Sequence, residues 1–70
     1  NKKNLGHFRE VLVENKLKNQ SKYFGRTSDL TPVIFNANLN DIGRVIQVEI
    51  TDFNRNSLFG IKKEKRETAA

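Results

Sequence analysis

Gly43-Arg44-Val45-Ile46-Gln47-Val48-Glu49-Ile50-Thr51-Asp52 alternates apolar and polar residues along its length. Ile46, Val48 and Ile50 fall on one face of an extended chain, and Gln47, Glu49 and Thr51 on the other. A period of two marks a strand with one buried face. The three β-branched residues on the inner side suit a pleated, half-buried surface. Helical spacing of 3.6 residues appears nowhere with comparable clarity.

Working outward, four more short strands follow the same period. Phe8 to Glu14 sets Val11 and Val13 against Glu10 and Glu14, with Leu12 on the polar side awaiting cover from a loop or a neighbouring domain. Lys22 to Thr27 carries Tyr23 and Phe24, one of which belongs to the core, and then Gly25, a residue that inside a strand marks a bulge or a close backbone approach. Pro32 lacks an N–H and fits the start of a strand, Val33-Ile34-Phe35. Ser57 to Lys63 is the fifth. The connections are polar: Asn15 to Gln20 reads as a hairpin loop, Ser28 to Thr31 as a short turn, and Asn54-Arg55-Asn56 as a tight turn. Asn36 to Gly43 holds Leu39 and Ile42, which read as buried anchors of a single helical turn.

Five short strands without a confident helix predict an all-β fold, a small five-stranded OB-like barrel. Closure removes the exposed edges that one open sheet would leave. An SH3-like barrel is the second choice. Residues 1–4 read as an N-terminal linker, 5–63 as the domain, and 64–70 as a frayed, charged tail. The chain opens on Asn1, not methionine, and is expected to be a piece of a longer protein or, less favoured, a processed one.

Seventy residues with 36% hydrophobic content can build one small core. No segment approaches the roughly 20 apolar residues of a membrane span, so no membrane partner is expected. There is no cysteine, which excludes disulfides, thiolate metal sites and a cysteine nucleophile, and fits a cytoplasmic location. Asn19-Gln20-Ser21 is a glycosylation sequon read as chance, because no secretory signal accompanies it. His7 is the only histidine. With no glycine-rich phosphate loop and no serine nucleophile motif, the chain is not expected to be an enzyme on its own. Its net charge of +5 suggests a polyanionic partner, with solubility as the plainer explanation.

Lys22-Tyr23-Phe24-Gly25-Arg26-Thr27, then Pro32-Val33-Ile34-Phe35, then Ile42 to Thr51, then Asn56-Ser57-Leu58-Phe59-Gly60 form an ordered set that resembles the TRAM domain found at the C-terminus of tRNA methylthiotransferases. Leu5-Gly6 and Glu10 to Glu14 fit that domain's first strand, so the resemblance covers roughly Leu5 to Lys62. The Gly-Arg-Thr and Asn-Ser-Leu-x-Gly elements look most like the branch making 2-methylthio-N6-(dimethylallyl)adenosine. The Gly-Asp-Gly and Val-Pro-Gly elements of other TRAM proteins are missing. The resemblance implies a parent enzyme with iron–sulfur clusters and S-adenosylmethionine, chemistry this piece cannot house because the cysteines required to hold the clusters are absent. It implies tRNA, at the anticodon stem-loop, as partner, and an upstream catalytic domain of the same chain.

Six residues are the RNA-binding candidates. Arg26 stands at a strand end beside Gly25, where its fork can take a phosphate or stack on a base. Thr27 offers a hydroxyl; the alternative is a turn-forming side chain. Arg44 opens a strand after Gly43. Lys22, with Lys16 and Lys18, flanks the first loop. Phe59 points outward if Leu58 and Gly60 face the core, and either stacks on an unpaired base or packs on the catalytic domain. Lys62 adds positive charge near it. The competing reading is a structural docking module, with Leu12, Phe59 and Ile61 as an apolar patch and no RNA contact. Basic side chains converging on one barrel face favour RNA; an apolar patch among scattered charges favours docking.

Overall fold

A computed structural model describes residues 5–63 of the chain. The expected linker and tail, 1–4 and 64–70, lie outside the described residues. Five strands run β1 (Phe8–Lys16), β2 (Lys22–Arg26), β3 (Pro32–Asn36), β4 (Val45–Phe53) and β5 (Leu58–Lys63), with one 3₁₀ turn at Leu39–Asp41 before β4. They close into a barrel in the order β1-β2-β3-β5-β4. All neighbours are antiparallel except β3 and β5, which run parallel. This is the OB-like barrel expected from the strand count, and among the described residues closure gives every strand a neighbour on both sides.

Alternation explains the core. Val11 and Val13 of β1, Tyr23 of β2, Val33 and Phe35 of β3, Ile46, Val48 and Ile50 of β4, and Leu58 of β5 are buried together. Of Tyr23 and Phe24, the tyrosine is the core member. Ala37, just after β3, and Phe53, the last residue of β4, pack against this cluster. At roughly 1.5–3 kcal/mol for each fully buried aliphatic side chain, these residues supply the main drive to close so small a barrel.

Two glycines make the closure possible. A Cβ on Gly25 would meet the Leu12 carbonyl oxygen and lie 2.7 Å from Val11 Cγ1. One on Gly60 would meet the Glu49 carbonyl oxygen and lie 2.5 Å from Val48 Cγ1. Each glycine therefore lets its strand press against a neighbour's backbone. Each approach is accompanied by a bulge. The β1–β2 register skips Glu14, between Val13↔Gly25 and Asn15↔Phe24. The β4–β5 register skips Thr51, between Ile50↔Gly60 and Asp52↔Phe59. A bulge bends its strand and re-aims a side chain.

The connection from β3 to β4 corrects one expectation. It does hold a single helical turn, but Leu39 is 67% exposed and Ile42 42% exposed. The buried residue of the turn is Asp41, at 2%. Its burial is tolerated because the carboxylate is paired and hydrogen-bonded through one oxygen: Oδ2 accepts the Asn38 N–H at 3.0 Å and Lys62 Nζ at 2.8 Å. A charge this deep is tolerable only when paired and hydrogen-bonded.

Candidate nucleic-acid interface

The outer surface of β2, β3 and β5 brings the clearest set of candidates together. Lys22, Phe24 and Arg26 alternate with buried Tyr23 and Gly25, so they share the outer side of one strand. Register then extends each across the sheet. Lys22 pairs with Asn36, Phe24 with Ile34, and Arg26 with Pro32; Ile34 in turn pairs with Phe59 of β5. Three parallel rows result. A central apolar row, Phe24-Ile34-Phe59, lies between a row carrying Lys22 and Asn36 and a row carrying Arg26 and Pro32. Lys22 and Arg26 stand about 13 Å apart along the strand, and the apolar row spans about 10 Å across it. Half-buried rings, with cations on both sides of Phe24, make a surface that can stack bases and neutralise phosphates at once.

Arg26 is held in place. Its Cζ sits 5.1 Å from the centroid of the Phe24 ring, within cation–π range. Its Nη1 donates to both oxygens of Glu14, at 3.1 and 3.0 Å. The arginine side chain is still 43% exposed.

A second group occupies the barrel end where β1 stops and β4 starts. The Lys62 backbone N–H donates to the Asn36 side chain at 2.8 Å, while Lys62 Nζ grips Asp41. Arg44 Nη1 lies 3.8 Å from the other Asp41 oxygen, with its side chain 66% exposed. Lys62 hydrogen bonding is the largest influence holding the Asp41 carboxyl below its ordinary pKa, with the Asn38 N–H and Arg44 adding to it against the cost of burial. Lys22, Asn36, Lys62, Asp41 and Arg44 thus form one connected rim, in which Lys22 and Arg44 are the exposed cations. Lys62 is the strut of this rim, only 18% exposed. A groove of about 460 Å³ runs beside it, lined by Arg44, Val45, Gln47 and Lys63 among others.

Thr27 sits apart from both groups. It is 3% exposed. Its hydroxyl donates to Asp29 Oδ1 and accepts the Thr31 N–H at 3.1 Å, so the hydroxyl is committed to shaping the β2–β3 loop. Those hydroxyl contacts, Thr27 first and then Thr31, also hold the Asp29 carboxyl below its usual range, assisted by Arg9. Asn54 does the equivalent work in the β4–β5 loop, where its side-chain oxygen accepts the N–H groups of Asn56 and Ser57, each at 2.8 Å.

Phe59 faces outward between buried Leu58 and Gly60, as the alternation requires. The apolar patch of Leu12, Phe59 and Ile61 assembles only in part: Phe59 and Ile61 share the outer face of β5, while Leu12 sits on β1 between Arg26 and Val45. Leu12 pairs with Val45 on the β1–β4 side, Ile61 with Glu49, and Phe59 with Ile34. Phe24 and Ile34 join the candidate surface only through register: the pairing of β2, β3 and β5 places them beside Phe59. Glu14 carries no binding signal in the sequence beyond its place among the polar residues of β1.

Residues 2–63 match the family described as the TRAM domain. Among similar proteins, a tRNA-2-methylthio-N(6)-dimethylallyladenosine synthase of Pelagibacter ubique is 58% identical over 50 residues, 71% of this chain and 11% of that protein. A synthase of the same name from Buchnera aphidicola is 46% identical over 67 residues, 94% of this chain and 15% of that protein. One from Carboxydothermus hydrogenoformans is 40% identical over 53 residues, covering 74% of this chain and 12% of that protein. The chain therefore spans little more than a tenth of the length of these relatives.

Proposed function

This chain belongs to the TRAM domain family, and from that premise we propose that it is the tRNA-gripping domain of a radical-SAM tRNA methylthiotransferase. It binds tRNA at the anticodon stem-loop, while domains upstream of it in the same polypeptide methylthiolate the adenosine beside the anticodon. The observation that carries this reading is the three-row surface on β2, β3 and β5. Lys22 and Arg26 meet phosphates, and Phe24 and Phe59 offer π-faces to unpaired bases. Arg44 extends the cationic rim toward the flanking stem.

The chemistry of the parent lies elsewhere. Iron–sulfur clusters need thiolate ligands, and this sequence has no cysteine. The domain's contribution is attachment: a tethered grip raises the effective concentration of substrate at the catalytic domain without any reacting group of its own. A cytoplasmic setting follows from the tRNA substrate. Among the described residues, no helix is long and apolar enough to cross a membrane.

A second reading has one observation in its favour. Leu12 and Val45, paired across β1 and β4, are 43% and 60% exposed. They lie on the outer face of β1 and β4, with Leu12 directly beside Arg26 across the β1–β2 pairing, and are suited to packing against the catalytic domain. The two surfaces meet at the Leu12–Arg26 pair, so RNA on β2, β3 and β5 and the parent on β4 are adjacent contacts. Fluorescence anisotropy of the 70-residue chain with an anticodon stem-loop RNA tests the RNA reading. Salt-dependent binding supports it; no binding by the folded chain at low salt leaves docking alone.

A further inference from the structure

We propose that Glu14, an acidic residue on a surface that binds a polyanion, strengthens RNA binding by positioning Arg26. The proposal rests on the RNA-binding reading above and adds to it a residue whose charge alone argues the opposite effect.

The backbone sets up the pair. Gly25 has no Cβ, which lets β1 approach β2 at Leu12. The register then skips Glu14, and this bulge turns its side chain along the outer surface toward the end of β2. There both carboxylate oxygens receive Arg26 Nη1, at 3.1 and 3.0 Å. From the other direction the guanidinium rests over the Phe24 ring, 5.1 Å from its centroid. An arginine side chain carries about 2 kcal/mol of rotamer entropy, and here two contacts fix it before RNA arrives.

The geometry leaves the right atoms available. Glu14 engages Nη1 alone; among the described residues, Arg26 Nη2 and Nε make no hydrogen bond. Those two donors form the edge of the fork that matches a phosphate bidentately. The pair contributes little to folding, because both side chains are partly exposed, at 43% and 32%, and exposed ion pairs are worth about 0–1 kcal/mol. Its consequence is a preset arginine with a free edge, at the border of the aromatic row. Preorganisation of this kind raises affinity by removing the ordering cost from the binding step.

Charge bookkeeping and positioning predict opposite signs for one substitution. E14A raises the formal net charge of +5 by one, and if Glu14 merely repels phosphates, binding tightens. If Glu14 positions Arg26, binding weakens.

The test measures dissociation constants of the 70-residue chain for an anticodon stem-loop RNA at fixed salt, for wild type, E14A, R26A and the double variant, with E14Q as a milder change that keeps an acceptor for Nη1. The expected result is an E14A loss of about fivefold, a smaller loss for E14Q, and no further loss when E14A is added to R26A. Thermal melts of wild type and E14Q should agree closely. Equal or tighter binding by E14A or E14Q overturns the inference while leaving RNA binding intact. So does an undiminished E14A effect in the R26A background. Absence of RNA binding by the wild type overturns the RNA reading itself, and this inference with it.

Discussion

Lys62 Nζ lies 2.8 Å from Oδ2 of Asp41, a carboxylate whose side chain is only 3% exposed. The contact ties the last strand to the turn that precedes β4 and so closes one end of the barrel. Arg44 leaves that turn, so the cationic rim depends on a buried acid.

Removing that acid is costly. Asp41→Ala strands Lys62 Nζ and the Asn38 N–H without their shared acceptor. Breaking a buried pair from one side typically costs about 3 kcal/mol, a large share of the stability of a domain this small. Urea denaturation of the variant against wild type measures it; a loss below about 1 kcal/mol would show that the rim does not depend on Asp41.

The same pair sets an acid limit. The Asp41 carboxyl is held below its ordinary pKa in the folded chain, chiefly by Lys62. A carboxyl lowered on folding adds stability that is fully present above its unfolded value, about pH 4. That stability is lost as pH falls through the lower folded value. Thermal midpoints measured from pH 6 down to pH 2 should drop steeply below about pH 4, and Asp41→Asn should flatten part of that drop. Asp29, also lowered, contributes to whatever slope remains.

Glycines 25 and 60 should not accept a methyl group. Each substitution puts Cβ onto backbone of the neighbouring strand, and backbone cannot move aside as a flexible side chain can. Gly25→Ala and Gly60→Ala should each destabilise by about 2–3 kcal/mol. Gly6 and Gly43, with φ of 80° and 89° and open space around the missing Cβ, should lose less on the same change, about 1 kcal/mol from left-handed backbone strain. Melting curves of the four variants rank them.

Stacking and charge separate in binding data. Phe24→Ala and Phe59→Ala should each weaken RNA binding by about 1–3 kcal/mol with little change in salt dependence. Lys22→Ala and Arg44→Ala should instead flatten it. Neutralising about four phosphates on single-stranded RNA gives a log–log salt slope near −3, and each lost phosphate contact removes about 0.7 from it.

Much of the barrel was legible in the residues because strand alternation is a local signal. Ile46, Val48 and Ile50 announce their buried face without reference to any other segment, and Leu58 and Gly60 place Phe59 outward in the same way. Leu39 and Ile42 misled because hydrophobicity was read without register. Their turn spends its one buried position on Asp41, whose partner Lys62 lies 21 residues further on. Thr27 was legible as a loop former or an RNA contact, and only its three-way hydrogen bonding with Asp29 and Thr31 distinguishes the two. Phe24, Ile34 and Glu14 became candidates through pairing alone. Phe24 and Phe59 are 35 residues apart in sequence and meet only because β3 lies between their strands.

The measurement that bears most directly on the account is an amide-resolved NMR titration of the 70-residue chain with an anticodon stem-loop RNA at low and moderate salt. Shifts that weaken with salt and concentrate on Lys22, Phe24, Arg26, Ile34 and Phe59 are the predicted result. A folded chain that shows no shifts, or shifts confined to Val45, Gln47 and Glu49 on β4, would contradict it.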